Sequence, residues 1–184
     1  MLVHGPLTHF SDAFPDSSPD VLLNQLDIMF RDSLRGENEV AHLHNGFDIA
    51  LCVVRPEEKS IQFAGAGLPL YVAKHGVVME LTESKVHLGY SSRGKKNIQL
   101  HTLEYDTESY FYMITDGIWD LPDGRTGYGL GRQGLLRLLE EAQSIPLGEQ
   151  DRHINKALDT FSGTSQAKDD RLMLGFRLKP LEGI

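Results

Sequence analysis

Two short stretches of this chain, Thr115-Asp116-Gly117 and Asp169-Asp170, hold residue types in a setting that can do chemistry. The first closes the nearly uninterrupted apolar run Tyr110-Phe111-Tyr112-Met113-Ile114, the composition of a strand buried on both faces. An aspartate at its end, followed by glycine, puts a carboxylate at the rim of a sheet. The second stretch stands immediately before another apolar run, Leu172 to Leu178. If these two strands are antiparallel neighbours, the end of one meets the beginning of the other. Paired strands lie about 4.8 Å apart, so Asp116 and Asp169 can then share one divalent cation. Carboxylate and water ligands suit magnesium or manganese rather than zinc. Taken singly, Asp-Gly after a strand is an ordinary turn, and adjacent aspartates before a strand cap or solvate a loop. The metal reading gains its weight from the two stretches together.

Such carboxylates need a framework. Ser18 suits a helix N-cap, Pro19 the first helical position and Asp20 the positive end of the dipole. Leu22, Leu26, Met29 and Phe30 follow at helical spacing, with Gly36 as the stop. From Phe47 the pattern changes to strands: Phe47 to Val54, a polar turn, then Ser60 to Phe63. Ala64-Gly65-Ala66-Gly67 is too small for an ordinary strand centre and indicates close backbone approach or a bend. Leu70 to Ala73 and Val77 to Leu81 read as a hairpin, and Ile98 to Leu103 and Tyr110 to Ile114 as further strands. Two amphipathic helices carry Leu135, Leu138, Leu139 and Ala142, then Ile154, Ala157, Leu158 and Phe161, before the closing strand from Leu172. Hairpin-linked strands with helices set apart imply an α+β layered sandwich with a mainly antiparallel sheet.

The 184 residues suit one domain, and 26 acidic against 18 basic residues give a net charge of −8, which argues against nucleic acid as a partner. The lone Cys52 excludes a disulfide framework and a cysteine zinc site, and reads as a small buried hydrophobe. No apolar run approaches the roughly 20 residues of a membrane span, and residues 1–6 lack the features of a secretory signal. The expectation is a soluble, cytoplasmic chain. His4, His9, His42 and His44 form no ligand pair beside a carboxylate cluster. Trp119 is expected to pack, Asp120 and Asp123 to sit in loops, and Arg125, Arg132 and Arg171 to be solvated. Gly127-Tyr128-Gly129-Leu130-Gly131 lacks the lysine and the strand-to-helix context of a nucleotide loop.

Three stretches, taken in order, carry a family resemblance. Phe47-Asp48-Ile49-Ala50-Leu51-Cys52-Val53-Val54 with Ile61-Gln62-Phe63-Ala64-Gly65-Ala66-Gly67-Leu68-Pro69-Leu70-Tyr71 resembles a central hairpin and its small-residue turn. Tyr112-Met113-Ile114-Thr115-Asp116-Gly117 resembles a metal motif of hydrophobic residues followed by T/S-D-G. Asp169-Asp170-Arg171-Leu172-Met173-Leu174-Gly175-Phe176-Arg177 resembles a closing D-D-I/V-T motif and final strand. Leu88-Gly89 and Gly127-Tyr128-Gly129-Leu130 match weaker landmarks. The chain thereby resembles the SpoIIE-type branch of the metal-dependent (PPM) serine/threonine protein phosphatases, and within it the bacterial, signalling-associated SiaA-like group.

The resemblance implies an αββα sandwich with a Mn²⁺ or Mg²⁺ centre. It implies hydrolysis of phosphoserine or phosphothreonine by metal-activated water, and as partner a phosphorylated STAS-domain anti-anti-sigma-like regulator. Asp116 and Asp169 are then the catalytic metal ligands, with Gly117 and Asp170 completing the metal site. The family's upstream aspartate and its Gly-Asp-x-x-Gly-His-Gly segment have no counterpart; Leu172 and Leu68 stand where the family has threonine and histidine. Residues 1–184 are accordingly expected to be the C-terminal three quarters of a single phosphatase domain, without its N-terminal strands, whether mis-started or a true remnant. The expected phosphatase activity is much reduced. The alternatives are a non-catalytic phosphatase-fold module that binds a phosphoprotein, and an unrelated α+β protein whose aspartates only make turns.

Overall fold

The computed structural model describes residues 16–34, 46–89 and 95–179. They fall into two compact units: one takes the chain up to Pro69 and again Thr82–Glu104, the other Leu70–Leu81 and the chain from Tyr105 onward.

In the first unit, helix α1 (Pro19–Leu34) starts where the sequence indicates. The Ser18 carbonyl accepts the N–H groups of Val21 and Leu22, both at 3.1 Å, and its hydroxyl donates to Asp20 Oδ1 at 2.5 Å. The stop expected at Gly36 lies outside the described residues. Strands β1 (Ile49–Arg55), β2 (Ser60–Ala66) and β5 (His101–Glu104) form an antiparallel sheet in the order β1-β2-β5. Leu23 and Leu26 of α1 bury themselves with Ala64, Ala66, Leu88 and Ile98. The polar edge of α1 holds the loops: Asn24 Oδ1 accepts the Lys96 N–H at 2.8 Å, and the buried Asp27, paired with Arg31 at 2.8 Å, accepts the Gly89 N–H at 2.8 Å. Cys52 lies half-buried in β1, and burial pushes its thiol up to about 12.

Two strand expectations need correction here. The small-residue run does not end the strand, since β2 continues to Ala66. Its smallness reflects close approach: a Cβ on Gly65 would meet the Leu68 carbonyl oxygen and, at 2.8 Å, the Phe63 ring. Ile98 lies outside β5, which begins at His101; it is instead buried from a loop into the core beside α1.

The second unit holds β3 (Leu70–Lys74), β4 (Val77–Leu81), β6 (Tyr110–Ile114) and β7 (Met173–Arg177), all antiparallel, in the order β4-β3-β6-β7. Three helices follow β6: α2 (Asp116–Trp119), α3 (Gly131–Ala142) and α4 (Leu147–Ser162). The apolar stripes of α3 and α4 (Leu135, Leu138, Leu139 and Ala142; Ile154 and Leu158) close on Tyr71, Tyr112 and Ile114. One buried polar group spans this packing. Gln150 accepts the Tyr112 hydroxyl at 2.9 Å and donates to the carbonyls of Ala142 at 2.9 Å and Ile145 at 3.0 Å. Burial pushes the Tyr112 phenol up to about 12. Mixed α+β structure with antiparallel sheets agrees with the class implied by the sequence. No helix among the described residues is long and apolar enough to cross a membrane.

Candidate metal centre

The centre is built on the β6–β7 pair in the second unit. The two strands run antiparallel with Ile114 opposite Met173, so the chain leaving β6 at Thr115 lies beside the chain entering β7 at Leu172. The Thr115 N–H donates to the Leu172 carbonyl at 3.0 Å. The Thr115 hydroxyl donates to the Asp170 carbonyl at 2.9 Å and accepts the Leu172 N–H at 2.9 Å. The Asp-Gly pair does not form the turn that its composition indicates. It opens the short helix α2, with the N–H of Ile118 donating to the Thr115 carbonyl at 3.2 Å and that of Asp120 to the Asp116 carbonyl at 2.9 Å. An aspartate in a first helical turn is favoured by the exposed N–H groups there.

Gly117 makes the close contact. A Cβ at that position would meet the Asp170 carbonyl oxygen and lie 2.9 Å from its carbon and 3.0 Å from the Asp169 carbonyl oxygen. The main chain of Asp116-Gly117 is thus pressed against that of Asp169-Asp170. Asp116, Asp169 and Asp170 are all exposed. The Asp116 carboxylate makes no hydrogen bond or ion pair among the described residues. Asp169 Oδ1 accepts the N–H of Asp170 at 2.7 Å, which leaves its second oxygen uncommitted. Hard oxygen donors of this kind fit one Mg²⁺ or Mn²⁺ that keeps several of its waters. No group of three or more His, Cys, Asp or Glu among the described residues could hold a metal ion, so the donor set stops short of a cage for two.

The remaining residues singled out in the sequence have structural roles. Trp119 packs on the core of the second unit, and Arg132 lies over its ring at 5.6 Å while pairing with Glu80 at 2.5 Å. Asp120 is the C-cap of α2. Asp123 Oδ1 accepts the N–H groups of Arg125 at 2.6 Å and Thr126 at 3.0 Å, and these bonds hold its carboxyl below the usual range. Arg171 lines a groove of about 340 Å³ with Gln150, Asp151, Asn155 and Met173. Of the histidines considered in the sequence, His4, His9, His42 and His44 lie outside the described residues.

Two carboxylate–histidine pairs escaped the sequence reading; one, His75 with Glu108 at 3.0 Å, is exposed in the second unit. In the first unit His87 Nδ1 lies 2.5 Å from Asp48 Oδ1. The Asp48 carboxylate rests on Gly67, where φ is +81° and a Cβ would lie 2.6 Å from Oδ2. Asp48 and His87 are 39 residues apart, brought together by bridges of Phe47 with Leu88 and Ile49 with Gly67 that leave no periodic signal.

The family model described as Stage II sporulation protein E (SpoIIE) matches residues 7–179. The solved structure of the SiaA-PP2C domain of Pseudomonas aeruginosa is 25% identical, with a TM-score of 0.82 over 97% of this chain and 68% of that chain. The phosphatase domain of the cell fate determinant SpoIIE from Bacillus subtilis, Mn presoaked, is 11% identical, with a TM-score of 0.61 over 98% of this chain and 76% of that one. RsbX in complex with magnesium is 13% identical, with a TM-score of 0.55 over 91% and 68%. The latter two likenesses concern the fold alone. No curated protein matches the sequence. The two antiparallel sheets and the helices α1 to α4 of the described residues match the PP2C phosphatase fold.

Proposed function

We propose, for a chain that belongs to the SpoIIE family of PP2C-type serine phosphatases, that it hydrolyses phosphoserine or phosphothreonine on a cytoplasmic signalling partner, a phosphorylated STAS-domain regulator of the anti-anti-sigma kind, in a Mn²⁺- or Mg²⁺-dependent reaction. What carries this reading is the apposition of Gly117 with the main chain of Asp169 and Asp170. Through it, the Asp116 carboxylate and the second oxygen of Asp169 stand uncommitted just beyond the ends of neighbouring antiparallel strands. Asp116 and Asp169 hold the ion, and Asp170 and the Gly117 main chain complete its surroundings. Relatives solved after a manganese soak and with magnesium support the choice of metals. Such an ion, when bound, neutralises phosphoryl charge and lowers the pKa of water. The chain's own contribution is to present anionic oxygens of Asp116 and Asp169 beside the end of the β6–β7 pair.

One observation favours a second reading, a phosphatase-fold module that binds the phosphoprotein and turns it over slowly or not at all. Among the described residues no third His, Cys, Asp or Glu joins the two carboxylates as a ligand set. Calorimetric titration of Mn²⁺, together with phosphate release from a phosphorylated STAS-domain protein, separates the two. Manganese uptake lost in Asp116→Asn and Asp169→Asn, with slow manganese-dependent release lost in the same variants, is the expected result. Binding of the phosphoprotein without release selects the second reading. A chain that takes up no manganese, or takes it up equally well after both substitutions, overturns the metal site.

A further inference from the structure

Thr115 stands at the N-cap of α2, with φ −79° and ψ 155°, yet its hydroxyl makes no cap bond. In an antiparallel ladder the Leu172 N–H would ordinarily reach the Thr115 carbonyl, which would complete the rung begun by the Thr115 N–H. That carbonyl is instead turned into the first helical turn, where it accepts the Ile118 N–H at 3.2 Å. The hydroxyl replaces it. Thr115 Oγ1 accepts the Leu172 N–H at 2.9 Å and passes its own hydrogen to the Asp170 carbonyl at 2.9 Å, with the Leu172 carbonyl further off at 3.4 Å. A hydroxyl has one hydrogen and two lone pairs, so one donated and one accepted bond use it well.

We infer that Thr115 is a positioning residue whose side-chain hydroxyl, standing in for a main-chain carbonyl at the last rung of the β6–β7 ladder, holds the Asp169-Asp170 segment at the distance from Asp116 that divalent-ion binding needs. The inference rests on the metal-site reading given above. Its logic is geometric. The chain must leave the strand pair at Thr115 to start α2, and the rung it abandons is the one next to both carboxylates. Without the hydroxyl, the Leu172 N–H and the Asp170 carbonyl lose their partner, and the Thr115 N–H bond to the Leu172 carbonyl and the Gly117 contact remain to restrain the segment bearing Asp169.

Thr115→Val keeps the shape and removes the hydroxyl, Thr115→Ala removes hydroxyl and methyl group, and Thr115→Ser keeps the hydroxyl. Outer partners of metal ligands typically change affinity by about 10–100-fold. A Mn²⁺ dissociation constant raised by that factor is expected in the valine and alanine variants, with the serine variant close to wild type. In the metal-free protein, amide exchange at Leu172 is expected to accelerate by roughly tenfold in the valine and alanine variants, the equivalent of about one hydrogen bond, and not in the serine variant. Wild-type manganese affinity in Thr115→Val or Thr115→Ala, alongside lost binding in Asp116→Asn, overturns the inference and leaves the metal site standing. So does equal weakening in Thr115→Ser, since shape would then matter and not the hydroxyl. Absence of manganese binding by the wild-type chain overturns both.

Discussion

In the unit built on β1, β2 and β5, the Asp48 carboxylate rests on Gly67 and engages His87 at 2.5 Å. In the unit built on β3, β4, β6 and β7, a glycine again allows a close approach, but Gly117 receives main chain, and the carboxylates of Asp116 and Asp169 stay turned to solvent. Both arrangements join an aspartate near a strand end to a glycine that no side chain can replace. They differ in whether the carboxylate finds a partner. Asp48 has a side-chain partner inside its own unit, whereas Asp116 has no internal partner among the described residues. An acidic residue near a strand end thus becomes a candidate for chemistry when the fold positions its backbone and leaves its oxygens unused.

The sharpest test of that contrast compares the aspartates themselves. Asp116→Asn or Asp169→Asn is expected to weaken manganese binding by more than the roughly 10–100-fold typical of outer partners, while Asp48→Asn leaves it unchanged, as read by calorimetry. Equal losses from all three would erase the distinction. Next come the glycines. Gly117→Ala is expected to cost about 1–3 kcal/mol by overpacking against Asp170, and to weaken manganese binding as well. Gly67→Ala, strained at φ +81° and facing the Asp48 carboxylate, is expected to cost about 1–3 kcal/mol with no effect on the metal. Denaturant unfolding paired with metal titration reads both.

A slightly smaller change is expected within the second unit alone. Tyr112→Phe leaves the buried Gln150 Oε1 without its 2.9 Å partner and should lower stability by about 1–2 kcal/mol, again measured by denaturant unfolding. The smallest effect concerns pH. Lys74, hydrogen-bonded at 2.6 Å, and then the Glu108 N–H hold the Asp106 carboxyl at about 2 against an ordinary 3.8. A depressed folded-state value contributes stability above the ordinary value, and that contribution fades as pH falls from about 4 toward 2. Lys74→Met should raise the Asp106 midpoint toward the ordinary value in an NMR titration while barely moving overall stability, since both partners are exposed.

Much of the candidate site was legible because its signals are local. An apolar run ending in Thr115-Asp116-Gly117 and another preceded by Asp169-Asp170 announce two strands and the carboxylates at their ends. Their antiparallel pairing was a condition that the sequence could only pose, since three helices separate the two strands, and it holds in the register of Ile114 with Met173. What the sequence hid is non-local or depends on three-dimensional crowding. Asp48 and His87 meet through isolated bridges with no period. Ala64 to Ala66 look like a break yet belong to β2, because their smallness answers the Leu68 carbonyl and the Phe63 ring rather than a turn. Thr115 reads only as the first residue of a strand-ending Thr-Asp-Gly motif, and only the structure reveals that its hydroxyl is used across the strand pair.

Cys52 is the sole thiol of the chain and Trp119 its sole indole, and they belong to different units. With its ionisation pushed up to about 12, the thiol should resist alkylation until β1 is laid open. Indole emission follows loosening around α2 and α3, where Trp119 packs. Nature has therefore installed one orthogonal reporter in each half of the molecule, and a single denaturation series that follows labelling and fluorescence side by side would reveal whether the halves come apart in concert or in turn.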